Sequence, residues 1–485
     1  MTVQRRLGNY ERFSLARHNV HQAPAVAFTA LLPSTSPTRL DRTNLFKAIT
    51  TLLQREPLLR SSIVNTKTPE PKFSLEDSVE GEKVLIEHTA TGPEANVALL
   101  EALQTINDLD IEKAPLWRVW IYAEDPETKL RRIVVGVHHV LGDGSAARNL
   151  FTELLTLLRT PSNDQKANAL FPPSLEDTVD VRPSTLSLVK TVFSELLVPK
   201  LPSFLRPTPP TPFWPNPALV LPVKQPTALK LVFLPSDLSR SLATNSKSHQ
   251  VKTLQPIFVI CAFTAIANIA LSDKNAPESL RIDSQTPVSL RSTSLGHPLL
   301  SGNYVSSIPS SSSPISRSTL ASTNFWSEAR SMASHLSSPA SHIAAKGAMG
   351  MLAYIPAGDA STPEKGQRTG WEEFIEGRME SENPWRGGSF EVSNLGRIPI
   401  SQEMKEWEDE GMREVCWAQP GSSTGTGLQF NAVSSGGVLS MTVSWRRDAI
   451  ATETVDKIWE LFEKILRKIA SNEIGEETTM AELLT

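Results

Sequence analysis

Two cysteines in 485 residues, Cys261 and Cys416, are too few and too far apart for a disulfide framework or a multi-cysteine zinc site. So little cysteine fits a reducing compartment. Cys261 lies in the run IFVICAFTAIANIAL, where a small buried hydrophobe is expected. That run, residues 257–271, is also the longest apolar stretch. At about 15 residues, and carrying Thr264 and Asn268, it falls short of a bilayer span and reads as a buried helix. Positive charge is not in excess. Lys and Arg number 48 against 52 Asp and Glu, the formal net charge is −4, and no basic stripe is present, which argues against nucleic acid as a partner. The opening MTVQRRLGNYERFSLARHN lacks the apolar core of a secretory signal. These absences lead to the expectation of a soluble cytoplasmic protein without a transmembrane segment, with peripheral membrane contact left open.

What is present suits a globular enzyme. The chain is 40% apolar and 21% charged, and it is longer than one core accommodates, so two or three cores are expected. Leu45, Ile49, Leu52 and Leu53 recur at helical spacing before Pro57. LWRVWIYAE alternates as a strand does, and LRRIVVGVHHV is apolar in succession, as in a strand covered on both faces. SAARNLFTELLTLLR follows as an amphipathic helix with Leu150, Leu154 and Leu157 on one side. Residues 202–226 are dense in proline, which fixes φ and lacks an amide donor, so they read as an extended connector. The second half restarts with the strand ALKLVFLP, a helix near 236–248, the buried helix and a strand-like RIDSQTPVSLR. Residues 306–319, rich in Ser and Pro, read as a loop. GSFEVSNLG and GVLSMTVSWRRD read as strands, and a closing helix carries the stripe Val455, Ile458, Leu461, Phe462, Ile465 and Ile469. The resulting division is 1–200, a proline-rich crossover at 201–227, and 228–485, in an α/β (α+β) fold.

The stretch VVGVHHVLGDGSAARNL, residues 134–150, holds the densest chemistry. Neighbours on a strand face opposite sides, so only one of His138 and His139 can face a site while the other supports the fold. The GDG that follows reads as a tight turn using the φ freedom of glycine, folding Asp143 back toward His139. Gly144 then opens the next helix without a side chain, leaving room for a ligand. A catalytic zinc needs three protein ligands, and His139 with Asp143 supplies two. GSSTG at 421–425 matches the hydrolase pattern around Ser423, but no histidine follows it in the chain, as the order of an α/β-hydrolase triad requires.

HHVLGDG resembles the HHxxxDG motif of the condensation-domain superfamily of acyltransferases, which includes the fungal alcohol acetyltransferases. Further stretches resemble that superfamily in the same order. They are RRLGNYE at 5–11, REPLLR at 55–60, DLDIEKAPLWRVWI at 108–121, TPVSLR at 286–291, GNYVS at 302–306 and VSNLG at 392–396. The DFGWG motif of the plant branch is absent, and no carrier-protein, adenylation or thioesterase segment is recognisable, so a stand-alone CoA-using enzyme is expected. The resemblance implies two chloramphenicol-acetyltransferase-like lobes, each a mixed sheet flanked by helices, with a channel between them. It implies His139 as general base, Asp143 turned away and paired with Arg291, and Gly144 offering an amide to the oxyanion. His138 supports the loop beside the channel. Asn303 and Tyr304 line the donor side, Ser393 lies in the loop that closes the channel, and Asn394 orients the reacting carbonyl or caps a turn. The implied reaction uses acetyl-CoA as co-substrate, with no bound cofactor and no metal, and acetylates an alcohol, or alternatively an amine, in a monomeric enzyme. A non-catalytic condensation-like binding protein is the alternative from another class.

Overall fold

The strand Leu130–His138 is buried along its length except at Arg131, as its unbroken apolar run requires. In a computed structural model of the chain it lies at the centre of a five-stranded sheet. The description covers residues 3–22, 25–34, 39–113, 115–161, 170–193, 201, 212–215, 227–272, 275–291, 301–356, 369–379, 388–422 and 425–484. The sheet order is Arg413–Ala418, Ala25–Pro33, Leu130–His138, Trp117–Ala123, Leu85–Thr91, antiparallel except at the last pair. Helices Arg42–Arg55 and Gly144–Arg159 bury leucine stripes against one face. Asp41 caps the first of them, accepting from Asn44 N at 2.8 Å, and Pro57 follows its end. Ala95–Asn107 covers the other face.

A six-stranded mixed sheet forms the second lobe. Its order is Val305–Ser311, Asp283–Ser289, Gly388–Arg397, Thr426–Ser435, Val438–Arg446, Thr227–Leu234. Gly388–Arg397 runs parallel to both neighbours, and the other pairs are antiparallel. Helices Leu254–Ser272 and Thr452–Ala470 fill the core behind it. The two expected lobes, each a mixed sheet with helices, are therefore present.

Four sequence expectations change. Residues 306–319 are not a loop throughout: Val305–Ser311 pairs with Asp283–Ser289 as the edge strand. Pro309 is tolerated there because the edge offers no second neighbour to an amide. VSNLG is strand, as its pattern predicts, and not the channel-closing loop that the resemblance implies: it ends Gly388–Arg397, with a register shift between Asn394 and Arg397. The apolar run 257–271 extends to a 19-residue helix, Leu254–Ser272, long and apolar enough to cross a bilayer; 72% of its most apolar window is buried within the protein. Residues 398–418, placed by the sequence division with 228–485, pack with the first lobe instead. Met404, Trp407 and Trp417 join its core, and Arg413–Ala418 supplies its edge strand. The proline-rich 202–226 falls, apart from 212–215, outside the described residues, as does Ser423.

Candidate active site

Where Leu130–His138 ends, two consecutive histidines turn to different neighbourhoods. His138 is fully buried. Its Nδ1 accepts from Val140 N at 3.2 Å, so its Nε2 carries the proton and faces His18 Nδ1 at 3.1 Å. Burial holds its pKa well below the usual histidine value, and it stays neutral. It does not line the cavity described below, so it is a prop for the loop rather than a channel residue.

His139 does line the cavity. Asn303 fixes its tautomer. The Asn303 amide nitrogen donates to the carbonyls of His139 and Val140 at 2.7 and 3.2 Å, so Oδ1 is the atom that meets His139 Nδ1 at 3.1 Å. Nδ1 therefore carries the hydrogen and Nε2 keeps its lone pair. Among the described residues, no protein donor occupies Nε2. Burial, and then the positive charge of Arg17, lower the His139 pKa, so the neutral form prevails near pH 7.

Asp143 looks away from the imidazole. Its Oδ1 accepts from Ala146 N at 2.9 Å, capping the helix Gly144–Arg159. Its Oδ2 accepts from Arg291 Nη1 and Tyr304 N, both at 2.8 Å. Arg291 also donates to Gly302 O at 3.0 Å and lies 5.3 Å over the Tyr304 ring. Gly302 N donates to Leu141 O at 2.5 Å. One carboxylate thus sews the motif loop to residues 301–304 of the other half.

Gly144 opens the helix and borders the cavity as expected, but the turn does not use the φ freedom of glycine. Neither Gly142 nor Gly144 has positive φ; Gly302 does, at +93°. A Cβ on Gly142 would stand 2.5 Å from Ala146 Cβ, while one on Gly144 would meet only Leu395 and Trp417 at 3.4–3.5 Å. Gly142 is the close approach, and Gly144 borders the cavity. Asn303 and Tyr304, expected on the donor side, sit behind the wall: Tyr304 is fully buried and its hydroxyl donates to Pro173 O at 2.5 Å. Ser393 lines the cavity. Asn394 does not; its Oδ1 accepts from Gly396 N at 2.8 Å, the turn-capping role.

The cavity has a volume of about 310 Å³, at the lower end for a small-molecule pocket, and opens between the two sheets. The second sheet's alternation builds its floor. Phe390, Val392, Leu428 and Phe430 point into the core, so Glu391, Ser393 and Gln429 face the cavity. The helix Asn9–Asn19 supplies Tyr10 and Arg17, seven residues and two turns apart on one face. RRLGNYE sets that helix. Glu11 accepts from Gly8 N at 2.6 Å and from Arg5 at 2.7 and 3.0 Å, and a Cβ on Gly8 would clash with Ser174. The Tyr10 ring meets His139 edge-on at 5.7 Å, and burial pushes its hydroxyl up to about 12. Sequence reasoning missed Tyr10, Arg17, Glu391, Gln429 and Gln419. The alternation in FEVS and LQFN was the readable signal for Glu391 and Gln429.

The arrangement pairs an unprotonated ring nitrogen with a cleft, open between the sheets, where two reactants can meet. Among the described residues no three His, Cys, Asp or Glu are grouped to hold a metal ion. A family model described as alcohol acetyltransferase matches residues 76–466. No curated protein matches the chain. Solved structures similar to it include the condensation domain from Monacolin K polyketide synthase MokA, at 12% identity and TM-score 0.61, covering 99% of both chains. The epimerization domain from the third module of tyrocidine synthetase B is similar at 13% identity and TM-score 0.57, covering 97% of this chain and 98% of that one. Polyketide synthase associated protein 5 from Mycobacterium tuberculosis is similar at 14% identity and TM-score 0.59, with the same coverage.

Proposed function

Since this chain belongs to the alcohol acetyltransferase family, and is thereby an acyltransferase, we propose that it carries an acetyl group from acetyl-CoA to an alcohol hydroxyl. The observation that carries the reading is the lone pair of His139 Nε2, fixed by Asn303 in a residue that lines the cavity. Nε2 takes the hydroxyl proton as the oxygen attacks the thioester carbonyl. The tetrahedral intermediate collapses with formation of the C–O bond and rupture of the C–S bond, and the imidazolium returns its proton to the departing thiolate. In this reading the Gly144 amide, in the first turn of a helix and so outside its hydrogen-bond ladder, donates to the oxyanion. No acyl-enzyme is required. Holding both reactants at one nitrogen supplies much of the rate. An amine acceptor would use the same lone pair. Buried, unpaired Cys261 and Cys416 fit the reducing cytoplasm as the compartment.

The test is acceptor-dependent thiol release from acetyl-CoA over a panel of alcohols and amines. His139→Ala is expected to lose roughly 10²–10⁴-fold in rate. Full activity in that variant would sink the mechanism, and the product bond distinguishes ester from amide.

A further inference from the structure

The cavity is more polar than a small apolar alcohol requires. Strand registers place Gln285 beside Glu391 and Glu391 beside Gln429, and all three line the cavity. Glu391 Oε1 accepts from Gln419 Nε2 at 2.8 Å; among the described residues Oε2 has no protein donor. Gln429 is 3% exposed, its amide nitrogen donates to Thr426 O at 2.6 Å, and its Oε1 has no donor among the described residues. Arg17 enters the same space. Among the described residues its guanidinium makes no hydrogen bond and no ion pair, though Glu391 is near enough to act on it electrostatically. Burial raises the Glu391 carboxyl, which weakens it as a counter-charge. Arg17 is half-buried, its guanidinium reached through the cavity, and a ligand that brings an anion there gains a charge-assisted contact that this side chain otherwise lacks.

We infer that the acceptor seated beside His139 is a hydroxy acid whose carboxylate accepts from Arg17. The inference rests on acyl transfer to a hydroxyl as proposed above. A guanidinium matches a carboxylate with two parallel hydrogen bonds, which a neutral ester cannot replace. The hydroxyl to be acetylated then points to Nε2.

A homologous series of hydroxycarboxylates, each beside its methyl ester, provides the test. kcat/KM is measured with acetyl-CoA and with acetyl-pantetheine, which lacks the nucleotide phosphates. The wild-type protein is expected to prefer the acid by about tenfold or more, the size of one charge-assisted contact. Arg17→Met should erase or reverse that preference with both donors, and Arg17→Lys should restore part of it. Equal losses for acid and ester in Arg17→Met would place Arg17 with His139 or the oxyanion and overturn the inference. A loss seen only with acetyl-CoA would assign Arg17 to the donor's phosphates and overturn it too. Turnover of no acceptor at all would defeat the O-acetylation reading. Thermal stabilisation by the same probes then decides the inference separately. Stabilisation by the acids and not the esters, lost in Arg17→Met, upholds the carboxylate seat; its absence removes it.

Discussion

A neutral imidazole works as a base only while its lone pair faces the reacting proton, and one amide decides that here. Asn303 reads the backbone of the motif loop with its nitrogen and the ring with its oxygen. Asn303→Ala should therefore lower kcat by roughly 10–100-fold with little change in KM, because the ring is freed rather than the cavity altered. A fall in KM affinity alone would remove Asn303 from positioning. The pH profile follows from the same residue. Activity requires neutral His139, so the rate is level above its pKa and falls as pH drops below it. Burial and the charge of Arg17 hold that pKa under the ordinary histidine value of 6.5. The acid limb should therefore lie below the usual histidine range, and Arg17→Met should move it to higher pH. An acid limb at or above the ordinary value would contradict the burial argument. His139, Asp143 and Arg291 were legible because residue type and order carried them. The division of labour between the two histidines followed from strand alternation and the resemblance, but their partners did not: His18 against one ring and Asn303 against the other come from distant parts of the chain.

The turn and the helix it opens make a sharper test than either histidine. Gly142 faces Ala146 Cβ across what would be 2.5 Å, and its bridge to Gly302 joins the halves. Gly142→Ala should destabilise by roughly 1–3 kcal/mol through overpacking. Gly144→Ala meets only ordinary contacts at the start of a helix, so its unfolding midpoint should stay nearly unchanged while turnover falls, because the new methyl enters the cavity wall. Denaturant melts of the pair check this, and the reverse order would make Gly144, not Gly142, the glycine that packing requires. Several elements were readable from period alone, such as Gly144–Arg159 and Thr452–Ala470 with their leucine and isoleucine stripes. Asn9–Asn19 was not, since its buried face mixes Glu11 and Ser14 with Leu15 and Ala16 and so shows no apolar stripe, with Arg5 holding Glu11 in place. Val305–Ser311 was hidden by Ser and Pro, residues an edge strand accepts. Pro287 beside it is tolerated because the parallel pairing of its strand is confined to Ser284 and Gln285.

At the scale of the whole molecule, the two lobes are joined by more than the motif loop, and no local pattern announces the second tie. Residues 398–418 leave the second sheet at the end of Gly388–Arg397, cross to the first lobe, and return through Trp417 and Gln419 on the cavity wall. The short helix Gln402–Asp409 anchors the crossing. Trp407 is fully buried and donates to Leu155 O at 3.0 Å. Arg159 covers its ring at 4.8 Å and pairs with Glu406 and Glu410 at 2.9 and 2.6 Å, and Arg39 holds Glu410 from the other side at 2.9 Å. The charged contacts are partly exposed and contribute little alone, so the indole is the anchor. Trp407→Ala should cost about 3–5 kcal/mol. Trp407→Phe keeps an aromatic ring but loses the indole hydrogen bond to Leu155 O and part of the buried volume, at about 1–3 kcal/mol. The strap also sets the height of Trp417 and Gln419 over the cavity. Turnover in Trp407→Phe should therefore fall even at temperatures where the protein remains fully folded. Urea melts followed by tryptophan fluorescence and by activity decide between two pictures. Loss of activity ahead of the fluorescence transition in Trp407→Phe would show that the strap loosens before the lobes unfold and that the cavity depends on it. Coincident transitions with native turnover below them would make the strap one more piece of core, with the cavity set by the Asp143–Arg291 seam alone.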